Sequence, residues 1–182
     1  MRKFNAILGI AIFALFLLHI IVGSLQLTGL IPGGNVFMQA GSWLLIAAVC
    51  AHTAIGIRLT ADTFTAVKKS GASYFRENKL FWIRRISGFA VMLFIAAHTI
   101  LFMGHGSGGA FRLNLFDMPQ LIMSILLVLS VLLHIVTNIR PLMLAFGARS
   151  GKEFIADMAV IFSVLLLVSG AAFAVYFVRW LV

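Results

Sequence analysis

The sequence predicts an all-α integral membrane protein, a bundle of five transmembrane helices, and three observations lead there. Of 182 residues, 62% are hydrophobic and only 10% are charged, whereas soluble domains run at about 45–50% apolar and about 25% charged. The apolar residues gather into five long segments, Phe4–Leu27, Val36–Ile57, Arg84–Met103, Pro119–Ile139 and Phe154–Val178. Each can cover the roughly 20 residues a helix needs to cross the hydrocarbon core. Strand-like alternation is missing from these segments, which leaves the helix as the structure able to satisfy its own backbone in lipid. The chain reads as one membrane domain over residues 1–182.

The segments follow in order. Met1-Arg2-Lys3 and the apolar run behind it resemble a secretory leader, but the run continues to Leu27 with no convincing small-x-small site. It reads as a retained first span. Ile31-Pro32-Gly33-Gly34 separates spans one and two, and Gly104-His105-Gly106-Ser107-Gly108-Gly109 follows span three as a loop. Asn138-Ile139-Arg140-Pro141 closes span four. The one cysteine, Cys50, sits in an apolar run, so neither a disulfide framework nor a thiolate cluster is expected.

The formal net charge of +9 could suggest nucleic acid, but the positions of the cations argue for topology. With the N-terminus inside, the inner segments hold Arg2, Lys3, Arg58, Lys68, Lys69, Arg76, Lys79, Arg84, Arg85, Arg140, Arg149 and Lys152. The outer segments hold only Arg112 and Arg179. This positive-inside bias predicts a multi-pass protein of the cell (inner) membrane with a cytoplasmic N-terminus and no nucleic-acid partner. The basic inner loops could also dock a cytoplasmic partner.

Four of five histidines fall within spans, one in each of the first four: His19, His52, His98 and His134. A single such residue can do no more than hydrogen-bond a neighbouring helix, although ionisable groups in the bilayer are generally functional. Depth separates the four. His19 and His98 each come about fifteen residues after the inner end of their span, at 1.5 Å per residue, and so lie in the outer half. His52 and His134 come about as far after an outer end and lie in the inner half. Two imidazoles facing each other across a bundle form the axial pair of a low-spin haem. The expectation is therefore a bundle enclosing two haem b groups, with iron held by His19/His98 in the outer half and His52/His134 in the inner half. Span five carries no histidine and is expected to close the bundle. Carboxylates are nearly absent from the spans (Asp157 lies at the edge of span five), which counts against a metal or proton transporter built on the same histidines. Gly23, Ser24, Gly41, Ser42, Gly56, Ser87 and Gly88 lie near the histidines. They could admit a flat macrocycle against the backbone or mediate ordinary helix packing.

Three stretches carry a family resemblance. Trp82-Ile83-Arg84-Arg85-Ile86-Ser87-Gly88-Phe89 with His98 resembles the third-helix signature of dihaem cytochrome b subunits of succinate:quinone oxidoreductases and fumarate reductases. His52-Thr53-Ala54-Ile55-Gly56-Ile57-Arg58 is similar to the end of their second helix, and Leu133-His134 through Arg140 to Gly147 to the end of their fourth. The likeness covers the first four spans in order. It implies that His52 and His134 hold a proximal haem near the cytoplasmic face and that His19 and His98 hold a distal one. It also implies that Trp82 lies near a propionate, with Arg58, Arg84, Arg85 and Arg140 at the correct face to neutralise propionates. By the same resemblance the chain passes electrons between membrane quinone and two cytoplasmic partners, an iron–sulfur subunit and a flavoprotein with FAD that handles the dicarboxylate. Two positions depart from the pattern. Leu132 stands where some dihaem members have a glutamate, and Gln39 is the nearest polar residue to the outer end of span two. The transmembrane proton return associated with those carboxylates is therefore not carried over to this chain. Gln26, Gln39, His105, Arg112 and Asp117 are outer-side polar candidates for contact with quinone. A cytochrome b anchor for another redox module, of heterodisulfide-reductase type, and a haem-free transporter are the competing expectations.

Overall fold

Five long helices and one short hairpin follow each other in the structure, a computed structural model. It describes residues 1–71, 78–102, 105–107, 110–113, 116–147 and 152–181, with the side chains of 2, 105–107, 110–112, 152, 180 and 181 not described. The elements are α1 (Arg2–Leu27), α2 (Val36–Ser70), α3 (Lys79–Leu101), β1 (His105–Ser107), β2 (Ala110–Arg112), α4 (Met118–Ala145) and α5 (Lys152–Leu181). All 5 helices are long and apolar enough to cross a membrane. Arg76, Arg149 and Met103 lie outside the described residues, as do the side chains of His105 and Arg112.

Local chemistry explains where the helices start and stop. Asn35 Oδ1 accepts from Phe37 N–H at 2.8 Å to open α2, and Asn78 Oδ1 accepts from Phe81 N–H at 3.1 Å to open α3. At the start of α4, Gln120 Oε1 accepts from Asp117 N–H at 3.1 Å, and Pro119 sits in the first turn, where its missing N–H costs nothing. Gly71 ends α2 in the left-handed region at φ 66°, a conformation that a Cβ would strain.

The third helix starts at Lys79 rather than Arg84, where Asn78 caps it, and three further differences from the sequence expectation have a visible cause. The apolar span ends at Ile57, yet α2 continues to Ser70. Thr60 and Thr63 return their hydroxyls to the carbonyls of Gly56 and Leu59 at 2.7 and 2.8 Å, and Lys68 and Lys69 sit favourably in the last turn. This part of the helix is polar, so its apolar length and its helical length are different quantities. Pro141 does not close α4, which runs on to Ala145, because another helix replaces the hydrogen bond that the proline removes (below). The glycine-rich stretch after α3 was expected as a loop. It contains an antiparallel pair instead, with His105 opposite Arg112 and Ser107 opposite Ala110.

Side-chain contacts set the register of the bundle. α1 and α2 are antiparallel, with His19 beside Ser42 near one end and Gly9 beside His52 near the other. α3 and α4 are antiparallel through Ser87–His134 and Arg84–Thr137. α5 runs parallel to α1, with Phe13 edge-on to Phe162 at 4.8 Å and Arg179 Nη1 donating to Thr28 O at 2.8 Å. The packed core is the cluster Ile20, Val128, Leu166 and Phe173, which joins α1, α4 and α5. Ser124, Ser169 and Gly170 keep α4 and α5 close, as small residues do in lipid. α2 has no buried residue, and α1 is its principal neighbour. The tight half of the molecule is therefore the α5 side, and the loose half lies between α2 and α3.

Candidate haem-ligating cavity

That loose half encloses a cavity of about 1600 Å³ reached by His19, His52, His98 and His134 alike. Sites for one small ligand run at about 300–1,000 Å³, so this volume suits something larger or more than one occupant. Trp82, Arg84 and Arg85 line it near the end where the N-terminus lies. Arg58 and Arg140 are exposed and do not line it.

His19 and His98 approach each other from α1 and α3, with ring centroids 6.1 Å apart and planes at 77°. Two imidazoles on opposite sides of one metal, each at about 2 Å, place their nitrogens about 4 Å apart and their centroids roughly 6 Å apart. The observed centroid spacing equals that value. His98 also rests against Phe102 at 4.3 Å and Phe173 at 6.2 Å, which pack its ring in place. One level nearer the N-terminus, His52 and His134 enter from α2 and α4, within electrostatic range of each other. Among the described residues no group of three or more His, Cys, Asp or Glu comes together.

The serines and glycines noted in the sequence acquire individual tasks. Ser42 Oγ lies 3.2 Å from His19 Nδ1, and Ser87 Oγ lies 3.2 Å from His134 Nδ1. His52 Nδ1 and His98 Nδ1 are buried with no hydrogen-bond partner among the described residues. Gly88 makes room for His134, since a Cβ there would stand 3.3 Å from its Cε1. Gly23 and Gly56 each follow a histidine by one helical turn, on the same face as His19 and His52. Both line the cavity, and a Cβ at either would meet nothing within 4 Å. Those two positions leave open space beside the backbone where a flat macrocycle could lie. Gly41 meets nothing within 4 Å either, but it does not line the cavity.

Arg84 has a protein partner. Its Nε donates to Thr137 O at 2.9 Å. That carbonyl would normally accept from the N–H of residue 141, which is proline and has none. Arg84 thus supplies from α3 the hydrogen bond α4 lacks, and this contact was not legible in the sequence. Arg85 stacks over the Phe81 ring with its Cζ 4.9 Å from the centroid. Trp82 packs edge-on with Phe64 and Phe81 at 6.2 and 5.7 Å, tying the polar end of α2 to the start of α3. Of the far-side polar candidates, Gln26 donates to Pro32 O at 3.3 Å, and Gln26 and Gln39 line the cavity. Asp117 caps α4. Missed in the sequence was Tyr176, which lines the cavity and whose Oη accepts from Leu113 N–H at 3.2 Å.

Comparison of the chain with protein-family models, with curated proteins and with solved structures finds no match.

Proposed function

We propose that the chain is a dihaem cytochrome b, the membrane anchor of a succinate dehydrogenase or fumarate reductase type complex. The observation that carries this reading is the His19–His98 pair, 6.1 Å apart in a cavity that a second pair of histidines also reaches. The donors suit iron, being neutral imidazoles. Gly23 and Gly56 offer the backbone clearance a porphyrin edge needs. Haem iron, when bound, supplies a one-electron couple, and a couple at each of two depths makes a conductor across the bilayer.

The chain's own residues do the rest. His19 and His98 would hold one iron, and His52 and His134 the other. Arg85 and Trp82 offer a cation and an indole N–H for propionates at the end of the cavity nearer the N-terminus. The apolar wall keeps water from the imidazoles. The positive-inside bias supports a cytoplasmic N-terminus in a cell (inner) membrane. In this reading the polar length of α2 beyond Ile57 faces the iron–sulfur and flavoprotein subunits, which carry the iron–sulfur clusters and FAD. Quinone exchanges electrons within the membrane, and dicarboxylate chemistry stays with the partner.

The test is a pyridine haemochrome assay and reduced-minus-oxidised spectrum on the protein purified with its copurifying subunits. Two haem b per chain are expected. His19→Ala and His98→Ala should each remove the same haem, and His52→Ala and His134→Ala the other. Folded, fully matured protein without haem absorbance refutes the reading. Copurification of a disulfide-reducing module in place of a flavoprotein would redirect the partner assignment only.

A further inference from the structure

Each histidine pair contains one imidazole bonded to a serine and one that is not. The serines belong to different helices from the histidines they touch, 23 and 47 residues away in sequence. Ser42 Oγ donates to Met38 O at 2.9 Å, and Ser87 Oγ donates to Arg84 O at 3.2 Å. A hydroxyl has one proton, and a carbonyl can only accept it. With that proton committed to the helix, the serine oxygen faces the imidazole as an acceptor, so both contacts are satisfied only when Nδ1 carries a hydrogen. His19 and His134 are thereby held as the Nδ1–H tautomer, which leaves Nε2 as a bare lone pair. That is the nitrogen a metal takes, and a hydrogen bond at the opposite nitrogen both orients the ring and raises its basicity.

We infer that Ser42 and Ser87 are positioning residues for the two irons, each fixing one axial imidazole of a pair in the ligating tautomer and making it the stronger donor of the two. The inference rests on the dihaem reading above and adds to it an asymmetry within each pair. In the outer pair His98, with Nδ1 unpartnered among the described residues, is the weaker donor; in the inner pair His52 also meets the backbone of Asn5 and His134 that of Arg84, so the asymmetry there rests on the Ser87 contact. Gly88 belongs to the same device, since it lets the His134 ring lie close enough to α3 to reach Ser87.

A stronger donor favours ferric over ferrous iron, so losing the serine acceptor raises the midpoint potential of the haem it serves. Second-shell replacements commonly change metal affinity by about 10–100-fold, and each tenfold change in ferric over ferrous preference moves a one-electron midpoint by about 59 mV. The experiment is a spectroelectrochemical titration of the purified complex, with electron paramagnetic resonance of the ferric haems. It compares wild type, Ser42→Ala, Ser87→Ala, Ser42→Thr and Ser163→Ala. Ser163 returns its hydroxyl to Ala159 O at 2.7 Å without a histidine nearby, and so controls for loss of a helix back-bond. Ser42→Ala should raise only the midpoint of the haem that His19→Ala removes, and Ser87→Ala only that of the haem that His134→Ala removes. Ser42→Thr, which keeps the hydroxyl, should match wild type, as should Ser163→Ala. If an alanine variant instead sheds haem, loss confined to the partnered haem supports the assignment and loss of both overturns it. Unchanged midpoints and signals in both alanine variants at full haem content overturn the serine assignment alone, and so does Ser42→Thr behaving as Ser42→Ala. A wild-type chain without haem overturns the cytochrome reading and this inference together.

Discussion

Arg84 and Pro141 should be energetically coupled although they lie on different helices. Pro141 withholds the N–H that would close the hydrogen bond to Thr137 O, and Arg84 Nε fills the vacancy at 2.9 Å. A hydrogen bond to a charged donor contributes about 1.5–3 kcal/mol, and a buried carbonyl left unpaired costs about 1–3 kcal/mol. Arg84 is half-buried, so the expected cost of Arg84→Ala lies near the lower end, about 2 kcal/mol. In a Pro141→Ala background, residue 141 regains its N–H and α4 closes its own ladder. Arg84→Ala should then cost about half as much, a coupling of about 1 kcal/mol. Denaturant titration in mixed micelles, followed by tryptophan fluorescence, measures all four corners of the cycle. Costs that add to within about 0.5 kcal/mol would refute the reasoning. The same cycle separates two roles for Arg84. If it serves a haem propionate as well as the helix, Pro141→Ala rescues the stability of Arg84→Ala but not its haem spectrum.

Gly88→Ala should push the His134 ring away from α3, because the new Cβ would meet Cε1 at 3.3 Å. A lowered melting temperature is expected, together with, under the proposed function, an altered spectrum of the haem assigned to His134, whereas Gly41→Ala, with nothing within 4 Å, should leave both unchanged. Tyr176→Phe removes the acceptor for Leu113 N–H and should cost about 1 kcal/mol in the same micelle titration. Cysteine labelling in intact cells checks the topology. A thiol introduced at Ser70 should be protected from an impermeant reagent and one at Gly33 should react, and the reverse pattern would invert the proposed orientation.

The sequence by itself determined the number and order of the long helices, because lipid offers the backbone no partner and so requires apolar length wherever the chain crosses. It also determined that the four histidines fall at two levels, since helical rise is fixed and depth follows from counting residues. Resemblance added Trp82, Arg84, Arg85, Arg58 and Arg140 as one group. The tertiary structure divides that group: Arg84 and Arg85 line the cavity, whereas Arg58 and Arg140 are exposed outside it. Which polar groups meet His19 and His134 is decided by serines contributed by other helices. Whether Pro141 ends a helix depends on a guanidinium 57 residues earlier in the chain. Hydropathy and periodicity describe a helix against its solvent, and these decisions belong to one helix against another. The two levels of histidine were therefore legible from residue counts, while the serine contacts to His19 and His134 appeared only once the helices were packed.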